Sequence, residues 1–341
     1  MTISYRARRR FRKLFIALLA LILLTVVAVV IWFVWVERYI VFDADGAHID
    51  RDFQPQGNRV VAQAPVTGET VPIRYNEGDN AIDLSTDLKM LNGYYVSTEL
   101  LLEDFEGVRD TIETLPNGTA VMIDLKSGLG NFYYSTQIPN APRSDSIDTA
   151  AMDSLIDYLR RSNLYTIARV PAFRDRTYAL DHQPSGIAYS SGALWVDDER
   201  CYWMHPGATQ TRMYMAQIIE EVRNLGFDEI VFGDFYFPSD SKIAYASDLD
   251  KGATLKSVAS ELISAYATET FAVSFETTGA TFELPEGRTR MFQRNLTAGE
   301  AMTLVENVQV GDKNTQLVFV TDSNDTRFNN YGVLRPLRIQ G

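Results

Sequence analysis

Five acidic residues stand at or just after the ends of short apolar segments of this chain: Asp124, Asp175, Asp234, Glu276 and Asp322. Short apolar segments that alternate with helical stretches are typical of parallel strands, whose carboxyl ends carry the functional loops. Two carboxyl groups on either side of a bond can act as a general acid and as a nucleophile or base. We take Asp234 and Glu276, on the predicted fourth and fifth strands, as the best pair for such chemistry.

The direction of the Asp234 side chain depends on the local backbone. Side chains alternate along a strand, so Asp234 points into a site only if the chain bulges there, which Gly233 would permit. Otherwise Asp234 is an ordinary acid at a strand end. Asp322 is a third catalytic candidate, although Thr321–Asp325 is also typical of a turn or a helix cap.

Charged residues on the second and third predicted strands are candidates for binding. Asp124 and Lys126 share one face of their strand, and Arg169 on the next strand could pair with Asp124 at the carboxyl end of the sheet. These three side chains either contact a substrate or form a structural salt bridge, and the sequence leaves both interpretations open.

Aromatic residues surround a polar, acidic loop. Trp195, Tyr202 and Trp203 flank residues 196–200, and Tyr236 follows the fourth predicted strand. Aromatic faces can stack on a sugar ring, but they can also fill the mouth of a barrel. We take Trp195, Trp203 and Tyr236 as candidates for substrate contact.

The remaining reactive residue types exclude several kinds of site. His48, His182 and His205 are scattered, and Cys201 is the one cysteine, so we expect no metal site and no disulfide framework. No Gly-x-Ser-x-Gly elbow appears, and no G-x-G-x-x-G follows the first predicted strand. The sequence therefore predicts no cofactor.

Seven predicted strands alternate with five predicted helices. The strands are Gly93–Ser97, Ala120–Leu125, Tyr165–Val170, Glu229–Phe232, Phe271–Phe275, Thr289–Gln293 and Gln316–Val320. The helices are Leu100–Thr114, Thr149–Arg161, Thr209–Leu225, Leu255–Ala267 and Ala298–Asn307. Largely apolar strands separated by helices predict an α/β protein with a parallel sheet. About seven such units over about 250 residues favour a (β/α)8 TIM-type barrel over an open doubly wound sheet.

The amino-terminal part predicts a membrane anchor. Residues 14–36 carry no charge, and as a helix they would be about 34 Å long, enough to span a bilayer. A cleaved signal peptide has a shorter apolar region, and Trp32, Trp35 and Tyr39 suit the membrane interface. We expect a basic cytoplasmic tail over 1–13, a signal anchor over 14–36, a stalk with a small β-rich lead-in over 37–90, and a barrel over 91–341 outside the cytoplasm.

The net charge of −12 is unevenly distributed along the 341 residues. Six basic residues precede residue 14, and 26 basic against 44 acidic residues follow, which gives the rest of the chain a net charge of −18. Such an acidic domain lacks the basic face that nucleic acids require. We therefore expect no nucleic-acid partner.

A series of motifs resembles a known family. The series comprises Val121–Lys126, Ile167–Phe173, Trp203–Pro206, Leu225–Phe232 and Phe235–Pro238. In order and spacing it is similar to the glycoside-hydrolase-like domains of bacterial envelope proteins, which are barrels distantly related to α-amylase-type enzymes. The likeness covers about residues 91–325. It implies a barrel that acts on or binds an envelope or extracellular glycan, with Asp234 as nucleophile, Glu276 as acid/base and Asp322 as transition-state stabiliser.

Three positions depart from the family pattern. Gly233 stands where the pattern has its nucleophilic Asp, His205 replaces the Asp of a Trp-x-Asp-Pro motif, and Ser127 replaces an acid after the second-strand Lys. These departures affect the expected chemistry and leave the expected fold intact. An alternative function is therefore a degenerate barrel that binds a carbohydrate or a protein without catalysis.

Overall fold

A computed structural model describes residues 25, 40–43, 46–49 and 88–339. The chain divides into two units, Met1–Asp79 and Asn80–Gly341. In the first unit, strands β1 (Ile40–Asp43) and β2 (Gly46–Ile49) pair antiparallel within the predicted β-rich lead-in, with Asp43 opposite Gly46. Apart from Thr25, the predicted tail over 1–13 and anchor over 14–36 lie outside the described residues. Within the described part, no helix combines the length and the apolar character needed to cross a bilayer.

The second unit contains a closed barrel of eight parallel strands. The strands are β3 (Asn92–Val96), β4 (Ala120–Asp124), β5 (Tyr165–Pro171), β6 (Glu229–Gly233), β7 (Ala272–Glu276), β8 (Met291–Arg294), β9 (Leu317–Val320) and β10 (Gly332–Pro336). They follow one another around the barrel, and β10 pairs with both β9 and β3 to close it. The predicted (β/α)8 barrel is confirmed.

Helices connect the strands on the outside of the barrel. They are α1 (Thr98–Glu103), α2 (Phe105–Glu113), α3 (Thr149–Arg161), α4 (Arg176–Asp181), α5 (Thr209–Leu225), α6 (Lys251–Tyr266), α7 (Ala298–Asn307) and α8 (Lys313–Gln316). The bounds of α3, α5 and α7 are those that the sequence predicts. The predicted helix Leu100–Thr114 is divided, because Asp104 ends α1 and caps the amino end of α2 through Gly107 N (2.9 Å).

Strand alternation separates two apolar layers. One layer lies inside the barrel and includes Met122, Ile167, Val231, Phe292 and Leu334. The larger layer lies between the strands and the surrounding helices. Because side chains alternate along a strand, the residues two positions after these inward-facing ones also face the interior, at its carboxyl end.

A polar network lies among the amino ends of β5, β6 and β8. The Arg290 guanidinium pairs with Glu229 and donates to Tyr165 Oη (3.1 Å), and that hydroxyl donates to Glu229 Oε2 (2.9 Å). All these polar groups have partners, as buried polar groups require. This end of the barrel is filled by structural contacts, so the opposite, carboxyl end is where a ligand can enter.

Candidate functional site

One guanidinium joins two carboxylates at the carboxyl end of the barrel. Arg169 on β5 donates from Nε to Glu276 Oε2 (2.8 Å) and from Nη2 to Glu276 Oε1 (2.7 Å). Its Nη1 donates to Asp124 Oδ1 (3.1 Å). Two parallel hydrogen bonds of this kind give an ion pair a fixed geometry. The structure thus brings together Asp124, Arg169 and Glu276 from β4, β5 and β7.

The other oxygen of Asp124 is also engaged. Asp124 Oδ2 accepts hydrogen bonds from Tyr95 Oη (2.8 Å) and from the backbone N and Oγ1 of Thr98 (3.0 Å each). The Arg294 guanidinium lies 4.5 Å from the centre of the Tyr95 ring and reaches Glu276 Oε2 at 3.4 Å. These contacts favour the interpretation of Asp124 as part of a structural salt bridge rather than as a residue that contacts a substrate.

Glu276 carries a negative charge in this arrangement. Burial acts to raise the pKa of the Glu276 carboxyl, but the charges and hydrogen bonds of Arg169 and Arg294 outweigh it and hold that pKa below its ordinary value. A general acid must carry a proton near neutral pH. Glu276 in its pair with Arg169 does not meet that requirement.

Gly233 provides the space that Arg169 occupies. A Cβ atom added at Gly233 would lie 2.6 Å from Arg169 Nη2 and 2.8 Å from Cζ, closer than real Cβ atoms approach other heavy atoms. Gly233 faces the barrel interior, two residues after Val231. The place where the family pattern has a carboxylate is therefore filled by a guanidinium.

Asp234 changes direction through its own backbone. Strand β6 ends at Gly233, and Asp234 has a φ of 53°, in the left-handed region that few residues other than glycine adopt. The predicted reorientation thus occurs at Asp234 itself. Within the described residues, no donor forms a hydrogen bond to its carboxylate. Burial raises the pKa of Asp234, with Arg169 acting to lower it and Glu276 to raise it further.

Asp234 lines a cleft of about 650 Å³ that has an aromatic wall. The Trp203 ring lies 5.2 Å from the Tyr236 ring and 6.2 Å from the Trp195 ring, measured between centroids. Trp195, Trp203 and Tyr236 are therefore brought together, as expected for a contact surface. We call this space the Asp234 cleft; its charged lining residues are Arg174, Asp197, Asp198, Glu199, Asp234 and Asp240.

Acidic side chains hold the tryptophan rings of the cleft in place. Trp203 Nε1 donates to Asp197 Oδ2 (2.9 Å), and Trp195 Nε1 donates to Asp240 Oδ2 (2.9 Å). Arg174 Nε also donates to Asp197 Oδ2 (2.7 Å). The sequence did not indicate Arg174 or Asp240 as residues of the site. It indicated Asp197 only through the acidic loop between the two tryptophans.

Lys126 lies outside the Asp234 cleft. Its ammonium forms a fully buried ion pair with Asp175 (2.7 Å), which also accepts from Tyr214 Oη (3.0 Å) and from Tyr178 N at the start of α4 (2.8 Å). These contacts attach the segment after β4 to helices α4 and α5. The geometry gives Lys126 a structural contact and no access to a ligand in the cleft.

Asp322 is exposed and does not line the Asp234 cleft. It lines a cleft with Tyr95, Arg294 and Arg327, and Arg294 is the residue that also reaches Glu276.

Histidine and acidic side chains do not form a metal centre in the part of the chain that the structure describes, where no group of three His, Cys, Asp or Glu could hold an ion. His205 Nδ1 accepts from Gly207 N (3.1 Å), and burial lowers the pKa of its imidazole. His205 thus accepts a hydrogen bond within the turn that precedes α5.

The parallel barrel, with charged and aromatic side chains over its carboxyl end, defines a (β/α)8 barrel of the kind that carries enzyme sites on its loops. Residues 94–283, more than half of the chain, match the family described as "Putative glycosyl hydrolase domain". The chain belongs to this family, and the resemblance seen in its motifs is confirmed.

Solved structures show a likeness of fold alone. A hypothetical protein from Ruminiclostridium thermocellum is 18% identical, with 53% of this chain and 96% of that one covered and a TM-score of 0.44. A GH20 exo-β-N-acetylglucosaminidase from Vibrio harveyi is 8% identical (69% and 42% covered, TM-score 0.48). An α-galactosidase from Lactobacillus brevis is 11% identical (74% and 38% covered, TM-score 0.46). This chain spans less than half of either glycosidase, and no curated protein matches it.

Proposed function

We propose that this chain is a glycan-binding member of its family, which holds a sugar in the Asp234 cleft and does not hydrolyse it by paired carboxylates. The observation that carries the proposal is the position of Arg169. Its guanidinium fills the space beside Gly233 where the family pattern has an acid, and it forms two hydrogen bonds to Glu276.

The chemistry of glycoside hydrolysis supports this conclusion. The reaction needs one carboxyl group that protonates the leaving oxygen and a second that acts as nucleophile or base. Glu276 is ionised in its pair with Arg169, both oxygens of Asp124 accept hydrogen bonds, and Asp322 lines another cleft. Asp234 is then the one predicted catalytic acid that lines the cleft.

The aromatic wall supports sugar binding. Trp195, Trp203 and Tyr236 present adjoining rings, and hydrogen bonds fix the two indoles. Aromatic rings held in place offer apolar contact area to a sugar face with little loss of side-chain freedom. We infer that a glycan unit lies against this wall, with its polar groups toward the acidic rim.

A glycan array probed with the full-length protein in detergent, with sugar release measured in parallel, tests the proposal. We expect binding to a subset of glycans without release of sugar. Tyr236→Ala should weaken that binding roughly tenfold, whereas Tyr158→Ala on the outer helix α3 should leave it unchanged. Sugar release that disappears in Glu276→Gln would contradict the proposal.

A second candidate function, hydrolysis that depends on Asp234, is favoured by the state of that residue. Left-handed backbone and a raised pKa at one non-glycine residue are typical of functional sites. If the parent protein releases sugar and Asp234→Asn does not, while both bind glycan equally, hydrolysis is the function.

We further propose that residues 14–36 anchor the barrel on the outer side of a cell membrane. The length and apolar character of that segment and the basic residues before it support this placement. Carbonate extraction should leave the full-length protein in the membrane fraction, and protease added outside intact cells should digest the barrel. Release into the soluble fraction would refute the anchor.

A further inference from the structure

The Asp234 cleft is acidic as well as aromatic. Five carboxylates and one guanidinium are among the side chains that line it. The guanidinium, on Arg174, is already paired with Asp197 (2.7 Å) and Glu199 (2.8 Å). The cleft therefore has an unbalanced negative charge, which attracts a cationic ligand.

Two acids of the cleft, Asp234 and Asp198, form no hydrogen bond or ion pair in the described part of the chain; Asp198 is exposed, whereas Asp234 is partly buried. Asp197 and Asp240 accept hydrogen bonds from the tryptophans, and Glu199 pairs with Arg174. Asp234 and Tyr236 line the same cleft, and burial and then the Asp234 charge raise the pKa of the Tyr236 phenol to about 12. A partly buried carboxylate without a hydrogen bond is costly, and a cationic donor would remove the cost.

The charged groups that act on Asp234 form their hydrogen bonds and ion pairs with other residues in this structure. Arg169 and Glu276 form two hydrogen bonds with each other, and Arg294 reaches Glu276. Arg174 is engaged by Asp197 and Glu199. The described structure therefore leaves the Asp234 carboxylate open to a cation supplied by a ligand.

We propose that the Asp234 cleft selects a glycan whose sugar carries a free ammonium group, an amino sugar without its N-acetyl group, and that this ammonium pairs with Asp234. The inference rests on the proposed glycan-binding function and names its ligand class. The aromatic wall contributes to the same selection, because a cation is attracted to the faces of Trp and Tyr rings.

The arrangement of the acids favours an organic cation over a metal ion. Within the described residues, the carboxylates of the cleft do not converge in a group of three that could hold a metal. An N-acetylated sugar would place a neutral amide beside Asp234 and leave the carboxylate without a counter-charge.

Calorimetric titration of the full-length protein in detergent tests the proposal with two probes of equal length. One probe is an oligomer of β-1,4-linked glucosamine and the other is its fully N-acetylated counterpart, in a mildly acidic buffer that keeps the amines protonated. We expect the free-amine oligomer to bind at least tenfold more tightly. Equal affinities, or no binding of either probe, would overturn the ammonium selection, whereas the proposed glycan binding fails only if the glycan array also shows no binding.

Asp234→Asn tests the assigned residue. Asparagine adopts left-handed backbone readily, so this variant keeps the local conformation. Its preference for the free-amine oligomer should fall to within about twofold, while its affinity for the N-acetylated oligomer changes little. Asp181→Asn removes the same charge from an exposed site on α4 outside the cleft and should keep the preference. If Asp234→Asn retained the preference, Asp234 would not be the residue that pairs with the ammonium. The comparison of the two probes on the parent protein tests the ammonium selection without any variant.

Discussion

At the scale of single residues, the contact between Gly233 and Arg169 distinguishes this chain from the pattern that it resembles. Position 233 has no side chain, and Arg169 from the neighbouring strand occupies the space beside it. A positive group therefore stands at the point of the barrel interior where the family pattern has a negative one. The change also determines the state of Glu276, because a carboxylate in a pair with arginine stays ionised.

Gly233→Ala should destabilise the barrel. The added methyl group would overlap the Arg169 guanidinium, which cannot move away without breaking its hydrogen bonds to Glu276. We expect the free energy of unfolding in urea to fall by about 1 to 3 kcal/mol. Gly299→Ala in α7, where a Cβ meets no atom within 4 Å, is the control and should be neutral or slightly stabilising. Equal effects at the two positions would contradict this packing.

The stability of the protein should depend on pH through Glu276. Its pKa in the folded protein lies below the ordinary value of 4.5, so its pairing stabilises the fold above that pH and the contribution is lost as the pH falls through the folded value. At neutral pH, Glu276→Gln should reduce the free energy of unfolding by about 3 kcal/mol. The difference from the parent should shrink as the pH falls below 4.5 and through the lowered pKa of the folded protein.

Urea unfolding at several pH values measures this dependence. The control is Glu283→Gln, which changes a surface pair with Lys256 and should follow the parent curve closely. A difference between parent and Glu276→Gln that does not change with pH would mean that Glu276 is not ionised in the folded protein.

At the scale of elements, buried ion pairs and caps fix the loops at the carboxyl end of the barrel. Lys126 and Asp175 connect the segment after β4 to the start of α4, and Asp197 and Asp240 orient the two tryptophans. The sequence predicted the helices α3, α5 and α7 well, because their apolar periodicity and caps are local features. It could not reveal these loop contacts, which join residues far apart in the chain.

Lys126→Met should strongly destabilise the fold without direct loss of a ligand contact. The substitution leaves the Asp175 carboxylate buried without its counter-charge. We expect a loss of about 3 to 5 kcal/mol in the free energy of unfolding. Lys256→Met, which breaks the exposed pair with Glu283, should cost less than about 1 kcal/mol. Wild-type stability in Lys126→Met, with weaker glycan binding, would instead show that Lys126 contacts the ligand.

At the scale of the whole molecule, the closure of the barrel depends on one strand that the sequence did not indicate. Strand β10 joins β9 to β3, but its sequence, Gly332–Pro336, begins with glycine and ends with proline. Both residues are rare within strands, so the pattern alone predicted seven strands. The partners on either side supply the hydrogen bonds that make this segment a strand.

A protein that ends at Tyr331 should therefore fail to form a stable barrel. Loss of β10 would expose the edges of β9 and β3, and it would remove the inward-facing Leu334 from the inner apolar layer. We expect no cooperative thermal transition by circular dichroism, and aggregation on expression. A protein that ends at Ile339 keeps β10 and should melt like the full-length chain. A cooperative melt of the shorter protein would show that seven strands suffice.

The sequence by itself determined the α/β barrel, the order of its strands and helices, and the end at which the functional side chains lie. These follow from apolar periodicity and from the alternation of elements, which are properties of neighbouring residues. Only the tertiary structure decided which acids are available. Glu276, Asp124 and Asp175 each pair with a cation from another strand or loop, whereas Asp234 forms no ion pair with any residue that the structure describes. The charge and pairing of a carboxyl group depend on the groups that the fold places around it, and these come from distant parts of the chain.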